Sequence, residues 1–304
     1  MRFHFICSTI ALLMQGYCGF SHTENTNCIE KTYYVLEEAS ANKKCVKYFS
    51  FRLQHQDYLS PEVFELYALE MLDLKSNNFP FLPKQFHKIP KLKHLTLSEN
   101  KLQRIPDLSS CKALEYLMVD KNKLGELPIS LAENKALQTL DASWNSIGFL
   151  QDNITSLPKL EVLNLQHNTL FSLPKQWNKF PKLTFVDLSY NQLSSLPASF
   201  WEAKQMKQID LSYNKLKQLP AITQKQKNIQ TINLSNNQIQ SLPQHIERLE
   251  QLEILLLSNN QLTDLPQNIT KLKKLKTLVL VGNPIASERI TYWKSQLPQV
   301  QIIH

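Results

Sequence analysis

The stretch VDLSYNQLSSLP runs from Val186 to Pro197, and its near copy IDLSYNKLKQLP runs from Ile209 to Pro220, 23 residues further on. Both belong to the frame L-x-x-L-x-L-x-x-N-x-L-x-x-L-P. Every step between successive frames is 23 residues except one of 22, and a degenerate copy precedes them at Val46. The frame begins at Leu69, Leu92, Leu114, Leu137, Leu160, Leu183, Met206, Ile229, Leu252 and Leu275.

The leucines of this frame alternate at period two, so they point to one face of a strand. A fixed period of this length is the signature of a solenoid, in which stacked copies bury apolar faces that no single copy can bury alone. The motif closely resembles the leucine-rich repeat family in its short Leu-Pro form, as in exported and surface proteins of bacteria. The resemblance implies an α/β-type repeat solenoid, a horseshoe with a concave parallel β-sheet and an irregular or short-helical convex side.

One asparagine recurs in each coil, and a buried amide without partners costs about 1 to 3 kcal/mol. An amide both donates and accepts hydrogen bonds. The family resemblance implies that these side chains form a ladder that satisfies backbone groups where the chain leaves each strand. We interpret all ten as structural: Asn77, Asn100, Asn122, Asn145, Asn168, Asn191, Asn214, Asn237, Asn260 and Asn283.

The two ends of the chain differ from the repeats. Arg2 precedes the apolar run FHFICSTIALLM, and small residues follow near GYCGFS. This arrangement is typical of a secretory signal peptide. We therefore predict a signal peptide at 1–21, a linker and N-terminal cap at 22–45, a leucine-rich repeat domain of about eleven coils at 46–285 and a C-terminal cap at 286–304. No segment is apolar for long enough to predict a transmembrane span.

The cysteines leave two questions open. A lipid anchor at Cys18 is an alternative to cleavage after Ser21, although Tyr17 is bulkier than such sites usually allow. Cys28 and Cys45 flank the predicted N-terminal cap, and in an exported protein they either pair or stay free.

The sequence favours a protein without catalytic activity. It has only five glycines, so phosphate-binding loops are not expected, and the motifs C-x-x-C, H-E-x-x-H and G-x-S-x-G are absent. We predict no metal and no cofactor. Asp187 and Asp210 lie one coil apart, close to the separation of about 5 Å in a retaining glycosidase pair. We disfavour that role because an open sheet face has no pocket and, we expect, nothing that raises the pKa of a carboxyl.

A net charge of +8, from 34 Lys and Arg against 26 Asp and Glu, raises the question of nucleic-acid binding. The lysines crowd the segments that connect the strands, for example Lys84, Lys88 and Lys91. This placement is typical of a solvated face, not of a basic stripe interleaved with aromatic residues. We therefore predict no nucleic-acid partner.

The variable residues of the strands predict a recognition surface. The position just before the ladder asparagine carries a ring in four consecutive coils, and we take as candidate contact residues Trp144, His167, Tyr190, Tyr213, the outward-facing Phe185 and the acidic stripe Asp141, Asp187 and Asp210. Rings beside hydrogen-bonding groups are favoured in protein contact surfaces. The alternative is that the rings only pack on one another across the strands.

Two classes of function follow from these features. The favoured one is an exported, non-catalytic recognition module whose concave face binds a protein, or a polysaccharide. The alternative is an intracellular scaffold, because the 23-residue Leu-Pro form also resembles repeats that dock small GTPases or similar proteins. The N-terminal segment distinguishes the two, and the sequence leaves the oligomeric state open.

Overall fold

The computed structural model describes Cys28 and residues 30–304. The predicted signal peptide and Cys18 lie outside the described residues. Thirteen strands form one sheet in which every strand pairs in parallel with its sequence neighbours, in the order β1 to β13. The predicted horseshoe solenoid with a parallel sheet on its concave face is confirmed.

The strands are short, two or three residues each. They span Thr32–Tyr33 (β1), Tyr48–Ser50 (β2), Met71–Asp73 (β3), His94–Thr96 (β4), Tyr116–Met118 (β5), Thr139–Asp141 (β6), Val162–Asn164 (β7), Phe185–Asp187 (β8), Gln208–Asp210 (β9), Thr231–Asn233 (β10), Ile254–Leu256 (β11), Thr277–Val279 (β12) and Gln301–Ile303 (β13). Their pairing keeps the repeat in register, so that Asp187 faces Asn164 on one side and Asp210 on the other.

The core lies between the sheet and the convex side. In the coil of β8, the frame residues Val186, Leu188 and Leu193 are fully buried, and the equivalent residues of the other coils form one continuous apolar cluster with them. Each coil therefore uses its neighbours to remove its leucines from water, which is why the repeat has no stable isolated unit.

The convex side consists of 3₁₀ turns and irregular chain. The 3₁₀ helices are Pro61–Glu65, Gln85–Lys88, Ile129–Glu133, Asp152–Ser156, Trp177–Lys179, Ala198–Glu202, Ile246–Arg248 and Gln267–Lys271. Several start directly after the proline of the Leu-Pro pair, for example at Pro197, whose φ of −64° directs the chain away from the sheet. The predicted short-helical convex side is confirmed in this 3₁₀ form.

The asparagine ladder forms as predicted. The Asn191 Nδ2 donates to the carbonyl oxygens of Leu165 in the preceding coil and Leu188 in its own coil, at 2.9 and 3.0 Å. Its Oδ1 accepts from the N–H of Leu170 in the preceding coil at 2.9 Å. The same three bonds recur at the other nine ladder asparagines, for example at Asn214. Each amide thus bridges two coils.

Both ends of the core are covered. At the amino end, β1 and the short helix α1 (Leu36–Ser40) precede β2, and a disulfide joins Cys28 to Cys45. At the carboxyl end, helix α2 (Ser287–Gln296) buries Ile290 and Trp293 and ends before Pro298. The Trp293 Nε1 donates to the Asp264 carboxylate at 2.7 Å. The domain boundaries proposed from the sequence stay predictions.

Replacing one ladder amide tests its contribution to stability. In the variant Asn191→Ala, we expect the free energy of unfolding to fall by about 3 kcal/mol, because the buried Leu170 N–H and two carbonyl oxygens lose their partner. Urea unfolding followed by circular dichroism measures this loss. The control Asn228→Ala removes an exposed amide with one backbone bond and should cost less than about 1 kcal/mol. Equal losses in the two variants would contradict the structural role of the ladder.

Candidate functional site

The position just before each ladder asparagine has an unusual backbone. Nine of these residues have φ between 51° and 59°, including Trp144, His167, Tyr190 and Tyr213, and the tenth is Gly282 at 76°. This left-handed conformation costs a bulky residue about 1 kcal/mol or more, whereas Gly and Asn adopt it readily. The turn that leaves the strand imposes this conformation on every coil, whatever side chain is present.

Four side chains in this position stack in one column. The ring centroids are 3.6 Å apart between Trp144 and His167, 4.0 Å between His167 and Tyr190, and 4.1 Å between Tyr190 and Tyr213, with nearly parallel planes. We call these four residues the aromatic ladder. Trp144, Tyr190 and Tyr213 remain 49%, 40% and 45% exposed, so the rings pack on one another and also present their edges to solvent.

His167 lies in the middle of the aromatic ladder and is half-buried. This burial lowers the pKa of the imidazole below its usual value of 6.5, because a charged ring loses hydration between its two neighbours. The neutral ring is the form that the stack favours at neutral pH.

The sequence predicts that Phe185 offers contact area on the concave surface, and the structure differs from this prediction. It is the first residue of β8 and only 5% exposed. Its strand neighbours Val162 and Gln208 lie in register on either side of it. Phe185 therefore supports the concave surface from within more than it extends into solvent.

The three aspartates are also more buried than an open face implies. Asp141, Asp187 and Asp210 are 5% to 7% exposed. The Oδ1 of Asp187 accepts from the Ser189 N–H at 2.9 Å and from the Ser189 hydroxyl at 2.7 Å, and Asp141 and Asp210 bind Ser143 and Ser212 in the same way. Each carboxylate thus fixes the turn that follows its strand.

The expectation that these carboxyls titrate normally is wrong. Burial raises the pKa of Asp141 to about 6, with the charge of Asp120 adding to the effect. Burial, and then the charge of the neighbouring Asp210, raises the pKa of Asp187 to about 7. Burial also raises the pKa of Asp210. Although the concave surface is open, the narrow spacing of side chains in a parallel sheet removes these groups from water.

A protein-family comparison addresses what kind of solenoid this is. The model of the leucine-rich repeat matches residues 56–102, 151–216 and 227–285, which together make up more than half of the chain. The chain belongs to the leucine-rich repeat family. A comparison with curated protein sequences found no match.

Solved structures of other leucine-rich repeat proteins share the fold. A leucine-rich repeat protein of Leptospira interrogans is similar over 91% of this chain and 100% of its own, with 23% identity and a TM-score of 0.55. Drosophila Toll in its complex with Spatzle matches over 83% of this chain with 25% identity and a TM-score of 0.72. The plant peptide hormone receptor RGFR1 in complex with RGF2 matches over 86%, also with 25% identity and a TM-score of 0.72.

The present chain spans 35% of the length of the matched Toll chain and 44% of the length of the matched plant receptor chain. Both neighbours were solved with a bound partner. The comparisons therefore show that these proteins share the leucine-rich repeat fold with this chain.

Two aromatic residues of the leucine-rich repeat that sequence reasoning missed lie in the same coils as Trp144 and His167. Phe149 and Phe171 are exposed, and their ring centroids are 6.5 Å apart. Phe171 packs against Gly148, where an added Cβ would lie 3.5 Å from the ring. The signal in the sequence is that most other coils carry Ser, Gln or a charged residue in the segment after the ladder asparagine.

Within the part of the chain that the structure describes, no group of three or more His, Cys, Asp or Glu side chains is arranged to hold a metal ion. The described helices are too short or too polar to cross a bilayer.

The raised pKa of Asp187 predicts a pH-dependent stability. The folded protein keeps a proton that the unfolded chain releases between about pH 4 and pH 7, so the free energy of unfolding falls as the pH rises through this window. In the variant Asp187→Asn the fall should be shallower. At about pH 8 its free energy of unfolding should exceed that of the wild type by about 1–2 kcal/mol, and at about pH 4 the two should be similar.

Thermal unfolding at both pH values checks this expectation. The variant Asp141→Asn is the control, because the Asp141 Oδ2 accepts a hydrogen bond from the Asn164 Nδ2 at 3.0 Å, and losing this acceptor offsets the gain. If Asp187→Asn is no more stable than the wild type at about pH 8, the burial cost that we assign to this carboxylate is wrong.

Proposed function

We propose that this leucine-rich repeat chain is an exported, non-catalytic recognition protein whose concave face binds a protein partner at the aromatic ladder. The observation that carries the proposal is the contrast between equivalent coils. The position that holds Trp144, His167, Tyr190 and Tyr213 has the same left-handed backbone in the other six coils, where it holds Ser76, Glu99, Lys121, Asn236, Asn259 and Gly282. The fold therefore needs no ring there.

Large rings in this position cost backbone strain, which Asn or Gly would reduce. Contact between the stacked faces offsets part of this strain and holds the rings in one orientation. A rigid row of half-exposed aromatic edges with two phenol groups loses little side-chain entropy on binding, as preorganised contact residues do. These properties support recognition better than a purely structural role.

The kind of partner is inferred from the neighbours and the surface. Toll and the plant receptor, similar in fold to this chain, are solved with Spatzle and RGF2 respectively, which favours a protein partner over a polysaccharide. Export is supported by the signal-like segment at 1–21 and by the Cys28–Cys45 disulfide, since disulfides persist in oxidising compartments. The alternatives stay an anchor at Cys18 and an intracellular scaffold that docks a small GTPase or similar protein.

Removing the rings while keeping the backbone tests the surface. In the double variant Tyr190→Asn and Tyr213→Asn we expect the fold to persist, because Asn236 and Asn259 already occupy this position, and partner binding to fall by at least about tenfold. The immobilised chain is exposed to proteins from its native surroundings, and each retained protein is then titrated by surface plasmon resonance.

The matched control is the double variant Tyr34→Asn and Tyr67→Asn, which removes two exposed rings near the amino end, away from the coils that carry the aromatic ladder. It should bind as the wild type does. Equal binding by the ladder variant and the wild type would show that the ladder is not the contact surface. Binding to a glycan array that is lost in the ladder variant, with no retained protein, would replace the protein partner by a polysaccharide.

Export is tested by the intact mass and the cellular fraction of the protein purified from its native host. We expect a chain that starts at His22 in the medium or the cell envelope, because the small residues Gly19 and Ser21 suit a cleavage site. A lipid-modified chain that starts at Cys18 would make the protein surface-anchored. A full-length chain in the cytosol would reject export and favour the scaffold.

A further inference from the structure

The charge of the concave wall is opposite to that of the whole chain. The five segments that start with β6 to β10, at 139–145, 162–168, 185–191, 208–214 and 231–237, contain three aspartates and no lysine, arginine or glutamate, although the chain carries +8 overall. The lysines and arginines lie outside these segments. The middle of the wall, which also carries the aromatic ladder, is therefore a local acidic and aromatic surface on a basic protein.

The same strand position near the amino end supplies a comparison. Asp73, the last residue of β3, has the Arg52 Nε 3.4 Å from its Oδ2. Asp187 and Asp210 end β8 and β9 in the equivalent position, and among the described residues neither forms an ion pair with a lysine, arginine or histidine. The chain thus provides its own cation at one end of the wall and none in the middle.

Asp187 also has an oxygen without a partner. Its Oδ1 binds Ser189, whereas no described residue donates a hydrogen bond to its Oδ2. The Oδ2 atoms of Asp141 and Asp210 accept from Asn164 and Asn233, at 3.0 and 2.9 Å. The Asp187 residue is only 5% exposed, and a carboxylate that is largely removed from water beside a second carboxylate is costly unless a cation or another donor reaches its remaining oxygen.

We propose that the protein partner places an arginine side chain between Asp187 and Asp210, so that the ladder binds a basic segment of the partner. This inference rests on the function proposed above and names the chemistry of the partner. The two aspartates are in register on adjacent strands, which in a sheet lie about 4.8 Å apart, and a guanidinium has enough donors for both carboxylates. Because they are only 5% and 7% exposed, a long narrow side chain reaches them and a bulky group does not.

Arginine fits this place better than lysine. Its planar guanidinium forms paired hydrogen bonds with carboxylates and is more weakly hydrated than an ammonium group. It therefore loses less hydration free energy on entering a partly dehydrated site. Its flat face also packs on aromatic rings, and the half-exposed Tyr190 and Tyr213 follow Asp187 and Asp210 by three residues in the same two coils. The excess of positive charge elsewhere repels polycations at long range, so the local contact decides which basic segment binds.

The test is selection of a phage-displayed library of random peptides on the whole chain at about pH 8, followed by titration of the enriched peptides against variants. We expect enrichment in arginine and an affinity at least about tenfold lower for Asp187→Asn. This variant keeps the acceptor for Ser189 and is expected to be more stable than the wild type at this pH, so unfolding cannot explain its loss. The control Asp57→Asn makes the same charge change at an exposed loop and should leave the affinity within about twofold.

The possible outcomes separate this inference from the proposed function. Peptides that lose affinity in the Tyr190→Asn and Tyr213→Asn double variant but bind Asp187→Asn normally would overturn the arginine site and leave the ladder as the binding surface. Peptides that bind all variants equally would overturn both. An equal loss in Asp187→Asn and Asp57→Asn would overturn the site as well, because net charge alone would then control binding.

Discussion

The structure depends on the hydrogen bonds of one amide per coil. The ladder asparagine satisfies an N–H and a carbonyl of the preceding coil and a carbonyl of its own, as Asn191 does with Leu170, Leu165 and Leu188. Buried backbone groups must be paired, and the tight turn after a three-residue strand leaves these groups without a strand partner. The amide supplies that partner, so the leucines of successive coils can close into one continuous core.

This constraint also creates the surface on which binding is proposed. The chain turns towards the asparagine through a left-handed residue, and that residue is the one before it in every coil. The side chains at this position are therefore repeated at one strand spacing along the wall. Flat rings fill that spacing as a stack, which explains why Trp144, His167, Tyr190 and Tyr213 pack on one another and are still half-exposed at their edges.

The last residue of each strand shows how the same constraint affects charge. In several coils a side-chain oxygen there accepts from the backbone N–H two residues later, as at Asp187 and Asn233. An asparagine does so without charge and donates to the aspartate of the preceding coil, as Asn233 does to Asp210. Where two aspartates follow each other, that donor is missing and the charges repel. The fold tolerates two successive aspartates but does not require them, which is why we propose that this pair binds a ligand.

The sequence by itself determined the repeat, the parallel sheet and the column in which the rings lie, because each follows from a fixed spacing of residues, and the family resemblance implied the role of the ten asparagines. Only the tertiary structure decided how exposed the candidate residues are. Phe185 and the three aspartates face the concave side, as their spacing indicates, but they are buried by residues of neighbouring coils 23 positions away. The raised pKa of Asp187 and the lack of a described donor to its Oδ2 have the same origin. Burial and hydrogen bonding depend on the side chains of the neighbouring strands, which the spacing of residues within one coil does not reveal.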